Sequence, residues 1–170
     1  MTGVAALALY LPTLAPGVWA HDSGELTAAA YTLGIAHPAG SPLYMLLCKL
    51  FMTLVPLGSI AWRANLLSAV AGAAAVAVLS LLFSEEGLPP WVDAGMALMF
   101  GWSTTYWSQC LAAEVYTLNF LLLALVLLFL GRHHRRVEPR WLQAAALAWG
   151  LLIASYIAYA DLTLPILLVW

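Results

Sequence analysis

Long apolar runs separated by short polar breaks make up most of this sequence. A bilayer core of roughly 30 Å is crossed by about 20 apolar residues at 1.5 Å per residue. The pattern therefore predicts an all-α, polytopic transmembrane protein. The predicted spans lie at about residues 3–20, 64–83, 91–107, 115–131, 141–160 and 162–170. The last run stops part-way across a membrane, which indicates a fragment of a longer protein.

Composition supports this class and excludes a soluble domain. Hydrophobic residues make up 64% of the chain and charged residues 8%, and the mean hydropathy is +0.93. A soluble domain is only about half apolar. The net charge of −2 averages over two sides of a membrane, so it carries little information about partners. We expect a lipid bilayer around the chain and no nucleic acid as a partner.

Residues 21–63 interrupt the apolar pattern and contain two carboxylates, two histidines, a lysine and an arginine. Ionisable groups kept near a bilayer are functional candidates by default. The apolar part of this segment, at about 41–55, has Lys49 in its middle and is short for a span, which favours an interfacial helix. The segment is therefore predicted to be an external loop with interfacial helices at about 23–33 and 41–55.

A cluster of arginines between two clear spans, at 132, 135, 136 and 140, sets the orientation, because cytoplasmic loops are rich in basic residues. If 41–55 does not cross, the N-terminus is inside and the loop 21–63 is outside. Glu85 and Glu86 then lie inside. The other candidate groups gather on the outer face: Asp22, Glu25, His37, Lys49, Arg63, Glu114 and Asp161.

The local patterns in the loop leave alternatives open. Asp22 and Glu25 are three apart and share a helix face, where they suit a substrate, a metal ion or a proton. An ordinary capping box explains the same spacing. Gly34 is expected to end this helix in a left-handed conformation. Lys49 is either a snorkelling anchor or, with Arg63, a binding group for a phosphate at the outer interface.

A second group of polar residues lies in YWSQCLAAEVYTLN, residues 106–119. Glu114 has apolar neighbours on nearly every side, so its ionised form needs a partner. We expect that partner in the cavity that holds Asp22. Tyr116 fits an aromatic belt at the membrane interface.

Five ordered motifs carry a resemblance to a known family: DSGE, AAAYTLGIAHPAGSPLY, KLF, WRANLLSAV and AEVYTLN. Together they resemble the transmembrane O-mannosyltransferases and their bacterial relatives, which belong to the GT-C class of glycosyltransferases. The resemblance runs from residue 1 to about 131. It implies a GT-C-like N-terminal module, in which the first external loop carries the catalytic acid and helices that skim the membrane.

The resemblance implies transfer of a sugar, with mannose as the first candidate, from a polyprenyl-phosphate-linked donor to a hydroxyl of a protein or glycan acceptor. By match to DSGE, Asp22 is the expected general base of an inverting reaction on the outer face. Glu25, with Glu114, is expected to orient hydroxyls or to hold a divalent cation if one is used; no metal ligand is assigned. The remaining expected substrate-binding residues are His37, Lys49, Arg63, Tyr116 and Asn119, the first three to offset charge on the leaving phosphate.

Departures from the family pattern occur at Ala39 and Ser41, where related chains often read HPPGYPLY, and at Asp161, near the place of a histidine. The rival class is a transporter or flippase of a lipid-linked substrate that uses Asp22, Glu25 and Glu114 for ion coupling. Transporters often show internal repeats, and none is found in this sequence. In a bacterium the expected location is the inner membrane, with the active site on its outer face.

Overall fold

The structure, a computed structural model, describes residues 1–19, 21–38 and 40–158. These residues form eight α-helices and no strand, which confirms the all-α prediction. The helices are α1 (Thr2–Thr13), α2 (Ser23–Thr32), α3 (Pro42–Leu54), α4 (Ile60–Glu85), α5 (Pro90–Gly101), α6 (Thr104–Gln109), α7 (Tyr116–Arg136) and α8 (Pro139–Ser155).

Two long helices, α4 and α7, form the centre of the bundle. They have 26 and 21 residues, so they extend about 39 and 31 Å at 1.5 Å per residue. Both are long and apolar enough to cross a membrane. They run parallel, since the segment before α7 is bonded to the first half of α4 and the end of α7 is bonded to the end of α4.

Small side chains let neighbouring segments approach α4 closely. A Cβ added at Gly72 would lie 2.4 Å from the Cys110 sulfur, and one added at Gly101 would lie 2.6 Å from a methyl group of Val76. The Tyr10 hydroxyl donates to the Gly101 carbonyl at 2.7 Å, which joins α1 to α5. Close backbone approach at small residues is typical of helix packing in membranes.

Several helices differ in length from the predicted spans. α1 ends at Thr13 rather than near residue 20, because Pro16 disfavours a helical conformation in the residue before it. The predicted helix at 91–107 is divided into α5 and α6. The Ser103 hydroxyl accepts a hydrogen bond from the Tyr106 N–H and so begins a new helix.

The loop helices also differ in detail from the predictions. The helix expected at 23–33 is α2, and the helix expected at 41–55 is α3; their position at a membrane interface stays a prediction. The residue that ends α2 in a left-handed conformation is Leu33, with φ 54°, rather than Gly34. The Gly34 N–H donates to the Ala29 carbonyl at 2.8 Å, which closes the last turn one residue earlier than expected.

One end of the bundle, the arginine end, is held by ion pairs between α7 and the end of α4. Arg132 donates two hydrogen bonds to one carboxylate oxygen of Glu85, at 2.7 and 2.6 Å. Arg135 donates to Glu86 at 2.6 Å. The predicted cytoplasmic basic cluster and the two glutamates therefore lie at the same end. The run 162–170 and the proposed departures at Ala39 and Asp161 lie outside the described residues.

Candidate active site

Asp22 immediately precedes α2, and its carboxylate does not cap that helix. Its backbone is helical, with φ −80° and ψ −5°, and its side chain makes no capping hydrogen bond. The carboxylate of Glu25 is bonded to His37, so the capping-box alternative is wrong. The Asp22 side chain is 51% exposed. A carboxylate that the helix does not use is therefore open to solvent at this position.

Glu25 binds His37 through both carboxylate oxygens. One oxygen accepts the His37 backbone N–H at 2.6 Å, and the other lies 3.2 Å from the ring Nδ1. The backbone hydrogen bond, followed by the ring contact, lowers the pKa of Glu25. Because hydrogen bonds to the charged form stabilise it, Glu25 stays ionised and holds the loop after α2 against the first turn of that helix.

The second ring nitrogen of His37 faces Asp22. Nε2 lies 3.8 Å from an Asp22 carboxylate oxygen, and the His37 side chain is 42% exposed. The imidazole thus lies between the carboxylate of Asp22, just before α2, and that of Glu25 in the first turn of this helix. We call Asp22, Glu25 and His37 the carboxylate–histidine cluster.

Glu114 approaches this cluster from the segment between α6 and α7. Ser68 of α4 holds its backbone, because the Ser68 hydroxyl accepts the Glu114 N–H at 3.1 Å and donates to the Glu114 carbonyl at 3.3 Å. Only 8% of Glu114 is exposed. Burial, and then the charge of Asp22, raise the pKa of Glu114 to about 7, while His21 and His37 oppose the rise. Near neutral pH Glu114 is therefore divided between its charged and neutral forms.

Asn65 of α4 ties together the two segments that carry Asp22 and Glu114. Its amide nitrogen donates to the carbonyls of Ala15 and Gly17 at 2.9 and 2.8 Å, and its oxygen accepts the Ala113 N–H at 2.8 Å. The side chain is fully buried. Sequence reasoning did not select Asn65 or Ser68. The available signal was a polar amide inside an apolar span, where such groups commonly bond to neighbouring segments.

Lys49 lies at the far end of α2 from Asp22. Its ammonium group donates to the Tyr31 carbonyl at 2.6 Å and lies 4.4 Å from the centre of the Tyr31 ring. Tyr31 follows Asp22 by nine residues, or roughly 13 Å along a helix. Among the described residues no ion pair joins Lys49 to the carboxylate–histidine cluster.

Arg63 is engaged by backbone carbonyls at the end of α3 and in the loop that follows. Its guanidinium donates to Met52, Leu57 and Gly58 at 3.0 to 3.1 Å. Arg63 and Lys49 line a pocket of about 330 Å³ with Tyr31. The structure therefore places these two predicted phosphate-binding residues together, but in a pocket whose lining includes neither Asp22 nor His37.

The two candidates on α7 lie at different depths. Tyr116 begins the helix, is partly exposed and contacts the edge of the Tyr156 ring. Asn119 is one turn further in and fully buried, and neither of its amide atoms has a hydrogen-bond partner among the described residues. Tyr116 is thus accessible from solvent, whereas Asn119 belongs to the interior of this part of the chain.

Metal binding receives no support from the described residues. Within 1–19, 21–38 and 40–158, no group of three or more His, Cys, Asp or Glu side chains is placed to hold a metal ion.

The fold and the site together define a helical membrane protein with a carboxylate-bearing site at one end of its bundle. Comparison with known families gives a more specific assignment. The family described as "Protein O-mannosyl-transferase TMEM260 N-terminal domain" matches residues 22–86 and 90–170, and the chain belongs to this family. This confirms the resemblance drawn from the five motifs. The match begins at Asp22 and includes every residue of the site.

Two curated relatives carry the name protein O-mannosyl-transferase TMEM260. The protein from Mus musculus is 44% identical over 126 residues, which cover 72% of this chain and 17% of the relative. The protein from Dictyostelium discoideum is 32% identical over 132 residues, which cover 76% of this chain and 16% of the relative. The chain thus spans less than a fifth of either relative. No solved structure matches it.

Proposed function

We propose that the chain is the N-terminal part of a membrane glycosyltransferase that moves mannose from a polyprenyl-phosphate-linked donor to a hydroxyl of a protein acceptor. The names of the relatives support the mannosyl transfer. One observation carries the location of the site: the buried Asn65 amide bonds both the segment that leads to Asp22, at Ala15 and Gly17, and the segment that leads to Glu114, at Ala113. A reaction centre built from separate segments requires such a convergence.

The proposed site lies on the outer face of the membrane. Asn65 and Ser68, near the start of α4, hold the segments of the site, and the arginine end is at the other end of α4. Basic clusters mark the cytoplasmic side. In this proposal α4 and α7 are two spans of a polytopic, GT-C-like module, and the carboxylate–histidine cluster faces the compartment opposite the cytoplasm.

Asp22 is the proposed general base. It accepts the proton of the acceptor hydroxyl while the oxygen attacks the anomeric carbon, and the bond from that carbon to the phosphate oxygen breaks with its electron pair left on the phosphate. Attack from the side opposite the phosphate inverts the anomeric centre. The exposed and uncapped carboxylate of Asp22 supports this role, because a base must be reachable by its substrate.

Glu114 is the proposed binding group for a sugar or acceptor hydroxyl. A neutral carboxyl group donates one hydrogen bond and a charged one only accepts. Because the pKa of Glu114 is raised to about 7, both forms are present near neutral pH. The neutral form also avoids placing a second full negative charge beside Asp22.

The test uses the full-length protein in membranes with labelled polyprenyl-phosphate mannose. Asp22→Asn keeps the shape of the side chain and removes the base, so transfer to protein is expected to fall by about 100- to 10,000-fold. Asp93→Asn is the matched control, because Asp93 accepts a hydrogen bond from Ser80 on α4, away from the cluster, and asparagine preserves the accepting oxygen. Equal rates in wild type and Asp22→Asn, or no transfer by wild type, would contradict the proposal.

A further inference from the structure

His37 makes two contacts with Glu25, one through its backbone N–H and one through its ring, and only the second depends on the histidine side chain. The backbone N–H of His37 donates to Glu25 at 2.6 Å, a contact that any residue except proline can make. The contact of Nδ1 with Glu25 at 3.2 Å requires an imidazole or a close mimic. The backbone contact holds the loop after α2 in place. Because nearly any residue could make it, this contact does not explain why an imidazole occupies this position.

The contact with Glu25 determines what the other ring nitrogen offers to Asp22. A carboxylate only accepts hydrogen bonds, so a neutral ring bonded to Glu25 carries its proton on Nδ1. Its Nε2 then has a lone pair, and this atom lies 3.8 Å from the Asp22 carboxylate. A small movement of the His37 ring would therefore bring Nε2, a proton acceptor, into hydrogen-bond contact with the Asp22 carboxyl group. Asp22 is the group that is proposed to take the proton of the acceptor hydroxyl.

We propose that His37 removes the proton from Asp22 after each transfer, and that Glu25 is the positioning residue that orients the His37 ring for this step. The inference rests on the proposed function. The acceptor proton, once on an Asp22 oxygen, passes to His37 Nε2, which leaves Asp22 ionised and the ring as an imidazolium. The imidazolium then donates Nδ1–H to Glu25 and Nε2–H to Asp22, and releases one proton to water through its exposed face.

The charges around His37 suit this exchange. The carboxylates of Asp22 and Glu25 lie on either side of the ring, 3.8 and 3.2 Å from its two nitrogens. Glu114, from the segment before α7, interacts electrostatically with both Asp22 and His37. His21, the other histidine near the site, lies next to Asp22 in the chain and interacts with Glu114. A protonated Asp22 would be inactive as a base, so rapid return to the carboxylate keeps the site ready.

The test measures kcat, the KM for the donor and the pH–rate profile in the full-length protein. His37→Asn retains the backbone contact and offers an amide N–H in place of Nδ1–H, but it cannot carry the proton. We expect kcat to fall about 10- to 100-fold, less than the loss of the base itself, with the donor KM within twofold of wild type. Added imidazole is expected to raise the rate of His37→Ala and to leave Asp22→Asn unchanged.

Two results would overturn the inference. One is a wild-type kcat and pH–rate profile in His37→Asn, and the other is a loss in His37→Ala that imidazole does not restore and that accompanies lower thermal stability. A wild-type protein that transfers no mannose would instead overturn the proposed function. The tautomer of His37 can still be determined in that case, by ¹⁵N NMR of the labelled full-length protein. We expect the neutral ring to carry its proton on Nδ1, and a proton on Nε2 would contradict the proposed contact with Glu25.

Discussion

Replacing Asn65 by leucine removes three hydrogen bonds from the interior while keeping the number of non-hydrogen atoms in the side chain. The change leaves the carbonyls of Ala15 and Gly17 and the N–H of Ala113 without their partner. Asn65 is fully buried, so water does not readily replace the lost bonds. The variant therefore tests how the segments that carry Asp22 and Glu114 are held on α4.

The expected cost follows from the number of bonds. A typical intramolecular hydrogen bond contributes about 1 kcal/mol, and an unsatisfied buried group costs about 1 to 3 kcal/mol. Side-chain hydrogen bonds within membrane proteins average about 0.6 kcal/mol. Three bonds therefore give a loss of about 2 to 4 kcal/mol in the free energy of unfolding, with leucine returning part of it through apolar contact.

The assay is unfolding of the full-length protein in detergent, followed by the transfer rate at a temperature where both proteins are folded. Asn119→Leu is the matched control. Asn119 is also a fully buried asparagine in a long helix, but its amide has no hydrogen-bond partner among the described residues. We expect Asn65→Leu to lower both stability and transfer, and Asn119→Leu to leave stability unchanged or raised. Equal stability losses in the two variants would refute the reasoning.

Three further predictions concern packing, pH and the arginine end. Gly72→Ala places a Cβ within 2.4 Å of the Cys110 sulfur and should lower stability by about 1 to 3 kcal/mol; Cys110→Ala in the same chain should restore most of the loss, and a double variant no more stable than Gly72→Ala would contradict the clash. The pKa of Glu114 is raised from 4.5 to about 7, so its contribution to stability is full below pH 4.5 and is lost as pH rises through 7. Melting temperatures between pH 5 and 8 should therefore fall with pH in wild type and less in Glu114→Gln; identical slopes would contradict this. Arg132→Ala breaks a partly buried ion pair and should lower the free energy of unfolding in detergent by about 1 to 3 kcal/mol. Arg140→Ala breaks an exposed ion pair and should lower it by less than about 1 kcal/mol. Equal losses in the two variants would contradict the link between burial and the strength of these pairs.

Local patterns in the sequence predicted the helices of the loop but not the contacts of their side chains. The approximate extent of α2 follows from its composition and from the glycine after it. The Glu25 carboxylate is bonded to His37, which lies twelve residues later and outside the helix. A capping box is judged only from residues within one turn, so this pattern could not distinguish a capping glutamate from one that binds a distant loop.

The same limit applies to the cations. Lys49 and Arg63 belong to the same predicted loop as Asp22 and Glu25, and their charge suggested a phosphate. The end of α3 and the loop after it present three carbonyls to Arg63, and no residue type signals that arrangement. Asn65 is the opposite case, because a polar amide in an apolar span signals an interior bond while its partners, about 50 residues away, remain invisible.

The role of Asp22 is tested most directly by the initial rate of mannose transfer. The full-length protein is assayed in sealed vesicles whose outer face is exposed, with polyprenyl-phosphate mannose as donor. We expect labelled protein acceptor with wild type and a rate lower by at least about 100-fold with folded Asp22→Asn. Transfer that does not depend on Asp22, or lipid that crosses the bilayer with no mannose transferred, would contradict this role.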